Sequence, residues 1–302
     1  MSILRLMWCG AALAAATPTP PTATATPAEM VTVPAGAFVR GEVSGDPDER
    51  PQRRIELPAF AIDRTEVTRR AYGGCVAKGV CRPPAAPGRP PDPRGLVPPE
   101  LPVANVSWND AVAYCAFAGK RLPSEAEWEK AARGSDGRRY PWGNDFACQR
   151  GNFGNFAGDG RCAEDGAPGA VMPVGSFPDG ASPYGALDMA GNVWEWVADR
   201  YASYSADAHP RPQRLHPAPP PAKAPAAGAG TDDPAARPGE LRVLRGGGCC
   251  SIFGLPRSAD RLALPATYRD ADIGFRCASD LPASGRPPAP VSPKDSPRPD
   301  PH

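Results

Sequence analysis

The residues best suited to chemistry lie in Leu187-Asp188-Met189-Ala190-Gly191-Asn192-Val193-Trp194-Glu195-Trp196, where two carboxylates bracket a Gly-Asn step and two indoles follow it. Asp188 and Glu195 are hard oxygen donors on either side of a bend at Gly191, and the carbonyls between them could complete an oxygen cage for Ca²⁺. Trp194 and Trp196 would anchor that bend in a core. The other reading is an ordinary Gly-Asn turn, with Glu195 solvated between two packed tryptophans.

Other chemistries lack the groups they need. The three histidines, His209, His216 and His302, lie in or beside proline-rich segments, so a Ser-His-Asp or Cys-His catalytic set is not expected. No closely spaced cysteine pair is matched by a second pair or by histidines, which argues against zinc. No Gly-Lys-Ser/Thr loop offers a phosphate cradle. The formal net charge of +1 creates no field toward nucleic acid or an anionic membrane surface.

Several elements could position the bend. Met30 to Arg40 reads as a strand, a turn and a second strand, and Ile55 to Ile62 as another. Asp63-Arg64-Thr65-Glu66-Val67-Thr68 leads into a short helix carrying Tyr72 and Val76. The clearest helix starts at Ser107, capped by its hydroxyl with Asp110 in the first turn, and places Trp108, Ala111, Val112 and Cys115 inward. A second follows, with Ser124 and Glu127 forming a capping box, Trp128, Ala131 and Ala132 on one face, and Gly134 as its stop. Beyond Gly134 the sequence is rich in turns until Arg242–Arg245 and Ile273–Cys277, which read as closing strands.

The chain has 302 residues and 42 prolines, where average usage gives about 15. They crowd into linkers and excursions around one domain at residues 30–280, interrupted by proline-rich stretches 83–102 and 208–240 and followed by a disordered tail, 281–302. Residues 1–16 have the order of a secretory signal peptide and 17–29 that of a Thr/Pro-rich linker, so the protein is expected to be exported, periplasmic or extracellular. The alternative, lipidation at Cys9, is disfavoured by the bulky Trp8 before it. No other segment is long and apolar enough to span a bilayer. Loss of the leader leaves eight of nine cysteines, an even number that suits disulfides in an oxidising compartment. Cys75 with Cys81, and Cys148 with Cys162, could close locally.

Ser107-Trp108-Asn109-Asp110-Ala111, Arg121-Leu122-Pro123-Ser124-Glu125-Ala126-Glu127-Trp128-Glu129, Pro141-Trp142-Gly143-Asn144, Gly191-Asn192-Val193-Trp194-Glu195-Trp196, Arg245-Gly246-Gly247 and Gly274-Phe275-Arg276-Cys277 occur in this order. Together they resemble the formylglycine-generating enzyme family, also called sulfatase-modifying factors, over about Met30 to Asp280. The resemblance implies an α+β fold related to C-type lectins, with little regular secondary structure and bound Ca²⁺. Asp188, Gly191, Val193 and Glu195 match one family calcium site, Gly191 and Val193 through their carbonyls, with Asp188 where asparagine is common. Asn152, Phe153, Asp165 and Ala167 resemble the second. Cys115 and Cys277 match a family disulfide joining the first helix of the domain to its last strand. Ala132 stands where one partner of another family disulfide is expected.

The resemblance fails where the family does its oxygen chemistry. Relatives oxidise a substrate cysteine with two thiols that hold Cu(I), a soft ion that selects thiolate. Aligning Arg245-Gly246-Gly247 places Ser251 and Pro256 at those positions. Cys249 and Cys250 are nearby but adjacent, and neighbours on an extended chain point to opposite faces. The expectation is a calcium-binding scaffold with a degenerate copper site, serving a protein, peptide or glycan ligand. The runner-up is an active oxidase that uses Cu through Cys249 or Cys250 and converts a cysteine of a sulfatase precursor to formylglycine. A third reading is another oxidative role, as in relatives that mature secondary metabolites or join sulfur to histidine derivatives.

Overall fold

A computed structural model describes residues 29–85, 98–153, 170–204, 240–249 and 257–281. The segments expected as a signal peptide and linker, most of both proline-rich excursions and nearly all of the tail lie outside the described residues, as do Cys9, Cys162, Asp165, Ala167, Cys250, Ser251 and Pro256.

The first strands are β1 (Met30–Val33), β2 (Gly36–Arg40), β3 (Arg53–Leu57) and β4 (Phe60–Asp63). The stretch expected as one strand, Ile55 to Ile62, is therefore two. Pro58 has no N–H to give a ladder, and the chain changes partner there: β3 pairs with β2, while β4 pairs antiparallel with β1 and β9 (Ala278–Asp280). The second strand of the Met30–Arg40 unit thus does not pair with the first.

Helices α1 (Arg69–Ala77), α2 (Trp108–Phe117) and α3 (Glu125–Arg133) begin at Thr68, Ser107 and Ser124, whose side chains each accept a backbone N–H of the first turn. Both α2 and α3 have reciprocal capping boxes, through Asp110 and Glu127. In α2, Val112 is 37% exposed and does not face the core; Tyr114 takes the inward place beside Ala111 and Cys115. The buried stripe is rotated by the stacking of Tyr114 on Tyr72 of α1, with ring centroids 5.5 Å apart.

The central sheet has the order β7-β6-β5-β8, from β5 (Trp194–Arg200), β6 (Leu241–Arg245), β7 (Arg261–Pro265) and β8 (Ile273–Phe275), with only the β5–β8 pair parallel. Its two faces are both covered. Trp194, Trp196 and Leu244 pack with Tyr72, Cys115 and Phe275 toward α1 and α2. Val197 and Val243 join Trp128, Ala131 and Ala132 of α3 with Phe60 and Ile62 of β4. Because side chains alternate along a strand, the face that takes Val197 also takes Glu195, and this sends a carboxylate into the core.

Disulfides Cys75–Cys81 and Cys115–Cys277 are present. Cys148 is also disulfide-bonded, its expected partner Cys162 lying outside the described residues.

Candidate functional site

Glu195 is 0% exposed, so the solvated alternative for this residue does not hold. Its Oε2 accepts Trp128 Nε1–H at 2.8 Å and Arg276 Nε–H at 2.7 Å, and its Oε1 accepts Arg276 Nη2–H at 2.7 Å. A carboxylate has about four lone-pair sites, so Oε1 keeps one. Arg276 is fully buried and spends its remaining N–H groups on the carbonyls of Asp63, Arg64 and Leu187. All five of its donors are thereby used.

Three segments meet around this pair: residues 63–67 after β4, the 187–195 bend, and 275–276 at the end of β8. Leu187 N–H donates to Arg64 O at 2.7 Å and Val67 N–H to Phe275 O at 3.0 Å. The bend itself is left-handed at Asp188 (φ 57°), Gly191 (φ 88°) and Asn192 (φ 65°), and its two non-glycine members, Asp and Asn, are of the types that enter this region most readily. Gly191 is required, because a Cβ there would lie 2.3 Å from Asn152 O. Asn192 secures the bend. Its amide donates to Glu66 Oε1 at 2.9 Å and Met172 O at 3.2 Å, and its Oδ1 accepts Met172 N–H at 2.9 Å and Asn152 Nδ2–H at 3.1 Å.

Asp188 is buried and accepts Gly175 N–H at 2.6 Å. The carbonyls of Gly191 and Val193 accept none of the hydrogen bonds found among the described residues. Asp188, Gly191, Val193 and Glu195 are thus gathered in one buried bend, with two uncommitted carbonyls and two carboxylates. Sequence reasoning missed two further charged members. The sequence places Arg276 in a strand and a family motif without giving it a role, and Glu66, 1% exposed, in the lead-in to a helix. Burial first, then the charge of Asp188, hold the Glu66 carboxyl well above the ordinary carboxylate range. For Arg276 the signal available was a charged residue inside an otherwise apolar, strand-like run; Glu66, in a polar segment, carried no such signal.

The donor set suits a hard divalent cation, which takes carboxylate and carbonyl oxygens. The buried carboxylates Glu66, Asp188 and Glu195 share one guanidinium, and Glu66 Oε2 has no hydrogen-bond partner among the described residues. On these grounds calcium fits. For the second expected site, Asn152 and Phe153 lie against the same bend, Asn152 O accepting Asn192 N–H at 2.8 Å, while Asp165 and Ala167 lie outside the described residues.

The segment after Arg245-Gly246-Gly247 is pinned beside the bend. Arg245, fully buried, pairs with Glu129 of α3 at 2.5 Å, and a Cβ on Gly248 would lie 2.6 Å from Asp272 Oδ2. Cys249 is 1% exposed and donates its N–H to Asn192 O at 2.8 Å. Cys249 is therefore buried, with its backbone tied to the bend. Cys250, Ser251 and Pro256 lie outside the described residues. In the sequence, the positions matched to the family's copper-holding pair carry serine and proline, which offer no thiolate.

A separate acidic cluster, not anticipated from sequence, brings oxygens of Asp46, Glu49 and Asp260 within 4.8 Å of one another. Arg257 closes it, reaching Glu49 at 2.5 and 2.7 Å and Asp46 at 3.0 Å. Burial raises the Glu49 carboxyl to about 7 despite that guanidinium. This is an ion-pair cluster that ties the segment before β3 to the one before β7.

The model of the sulfatase-modifying factor enzyme 1-like domain matches residues 15–281. The chain is 36% identical over 312 residues to the formylglycine-generating enzyme of Thermomonospora curvata, covering 83% of this chain and 93% of that one. It is 40% identical over 197 residues to the inactive C-alpha-formylglycine-generating enzyme 2 of Bos taurus, covering 63% of this chain but only 52%, about half, of that protein. Among solved structures, PvdO from Pseudomonas aeruginosa superposes with a TM-score of 0.58 at 29% identity, over 83% of this chain and 94% of that one. With its few short helices, small sheets and long irregular connections, the chain has the α+β formylglycine-generating-enzyme fold, and it belongs to the sulfatase-modifying factor family.

Proposed function

We propose that the protein is an exported, calcium-binding member of this family whose copper–thiolate centre is degenerate and whose scaffold does binding or accessory work on a protein, peptide or glycan ligand. One observation carries the reading: Ser251 and Pro256 stand where a copper-holding relative needs two thiolates. Overall identity does not separate the alternatives, since the relative called inactive and the one called an enzyme are about equally similar. The ligand chemistry separates them. The burial of Cys249 supports the reading further, because a thiol packed in the core is withdrawn from a substrate.

Asp188, Gly191, Val193 and Glu195 would hold the calcium. The ion supplies positive charge to a buried cluster of carboxylates, and the protein's own groups fix the cluster around it. Arg276 orients Glu195, Trp128 closes its second oxygen, and Asn192 clamps the bend. In this reading residues 1–16 are a removed leader and 30–280 the folded domain. No helix among the described residues is long and apolar enough to cross a membrane.

The second reading, an active oxidase, is favoured by the adjacent thiols Cys249 and Cys250. The two separate in one assay. Copper-loaded protein is incubated with a peptide containing Cys-x-Pro-x-Arg, and the product is examined by mass spectrometry. The expected result is unaltered peptide; aldehyde formation overturns the proposal. For calcium, purified protein is expected to carry the ion by elemental analysis and to lose melting temperature with chelator. Absence of both effects would remove calcium from the reading.

A further inference from the structure

We propose that the cavity beside α1 binds a small apolar carboxylic acid in its ionised form, the carboxylate pairing with Arg69 and the apolar body lying against Tyr72, Val103 and Ala104. The inference goes beyond the proposed function and depends on neither the calcium nor the copper reading. The cavity measures about 470 Å³, a size that holds a small organic ligand. Tyr72, Val103 and Ala104 are buried and form its floor, while Gly73, Ala77 and Pro84 are exposed at its mouth. The backbone holds this wall in place. Val103 N–H donates to Val67 O at 2.8 Å, and Asn105, left-handed at φ 59°, donates its N–H to Asp270 O at 2.8 Å and accepts Ala85 N–H at 3.0 Å. Tyr72 gives its hydroxyl hydrogen to Arg82 O at 2.9 Å and so has no donor left for a ligand. Among the described residues lining the cavity, Arg69 alone is charged. It makes no ion pair or side-chain hydrogen bond among the described residues, and its Nε is buried without a partner, whereas its neighbour Arg70 pairs with Glu100. Burial lowers the Arg69 pKa from the ordinary arginine value, with no nearby carboxylate to oppose it. A guanidinium drawn from water with a donor unspent is costly, and an anion relieves that cost. Carboxylate and phosphate both match the guanidinium fork. The apolar floor selects an acid with an apolar body over a phosphorylated sugar, whose hydroxyls would lie there unpaired.

The probe is naphthylacetate, with naphthylacetamide as its uncharged match. Each is titrated calorimetrically into the full chain at pH 7.5 with calcium present, for wild type, Arg69→Met and Gly73→Leu. In wild type the acid is expected to bind about ten- to a hundredfold more tightly than the amide, the worth of a hydrogen bond to a charged group. Arg69→Met keeps an unbranched apolar stem and should remove that preference while leaving amide affinity unchanged. Gly73→Leu should lose both ligands. A Cβ on Gly73 meets nothing within 4 Å, so a larger side chain enters the mouth without disturbing a helix in which glycine is itself unfavourable. The rival account is a hydrated, structural arginine, and unfolding in urea without ligand separates it. Arg69→Met should keep the wild-type midpoint or raise it; a lowered midpoint makes Arg69 structural and overturns the proposal. Equal affinity of wild type for acid and amide, no binding of either, or unaltered binding by Gly73→Leu overturns it as well. So does a mass that doubles with concentration in wild type and not in Gly73→Leu, which makes the occupant a second copy. None of these outcomes bears on the calcium reading, whose test is elemental content and the effect of chelator.

Discussion

The Cys115–Cys277 bond closes a sequence separation of 162, the Cys75–Cys81 bond one of 6. Loop-closure entropy assigns them about 5 and about 2 kcal/mol at 25 °C. The perturbation is to replace each pair by alanine, Cys115→Ala/Cys277→Ala against Cys75→Ala/Cys81→Ala. Cys75, Cys115 and Cys277 are 0% exposed and Cys81 5%, so the packing losses are similar for the two pairs and largely cancel in the comparison. What remains is the difference in loop length, about 3 kcal/mol in favour of the long bond. Urea unfolding with calcium present measures it, from the midpoint and slope of each variant. Since domains are stable by only about 5–15 kcal/mol, a long-loop variant that is already unfolded while the short-loop one folds is the same result at its limit. Equal losses within about 1 kcal/mol would refute the entropic reasoning. The site should register the difference as well. Cys277 follows Arg276, which orients Glu195, so calcium affinity should fall in Cys115→Ala/Cys277→Ala and hold in Cys75→Ala/Cys81→Ala.

Gly191→Ala should cost about 2–4 kcal/mol, from a left-handed backbone and a Cβ forced to 2.3 Å from Asn152 O. Gly79→Ala is its control, left-handed but with nothing within 4 Å, and should cost about 1–2 kcal/mol by the same urea assay. Glu49 predicts a pH dependence. Its folded carboxyl titrates at about 7 against 4.5 when exposed, so between those values the native state holds a proton that the unfolded chain has released. Its contribution to stability is full below about pH 4.5 and is lost as pH rises through 7, with a slope of at most about 1.4 kcal/mol per pH unit. Glu49→Gln should flatten that part of the profile; an unchanged slope between pH 5 and 7.5 would contradict the assignment.

Much of this molecule is legible in local sequence because the physics is local. Ser107 with Asp110 and Ser124 with Glu127 cap helices within one turn of themselves, and the indoles of Trp194 and Trp196 have no favourable place except a core. The pairing of strands is not local. Nothing between Ile55 and Ile62 says which partners lie on either side of Pro58, because β3 pairs with β2 while β4 pairs with β1 and with β9 at the far end of the domain. Val112 has an inward spacing and points outward because Tyr72, on another helix, claims Tyr114.

The candidate site divides in the same way. By itself the sequence determined a bend with two carboxylates and a Gly-Asn step, and it determined that Ser251 and Pro256 cannot act as thiolates, since those are properties of side-chain chemistry. Only the tertiary structure decided that Glu195 points inward, that Arg276 saturates it, and that Glu66 joins them from more than a hundred residues away in the chain. The physical reason is that the cost or benefit of a charge is set by what surrounds it once water has been removed, and those surroundings are assembled from segments remote in sequence.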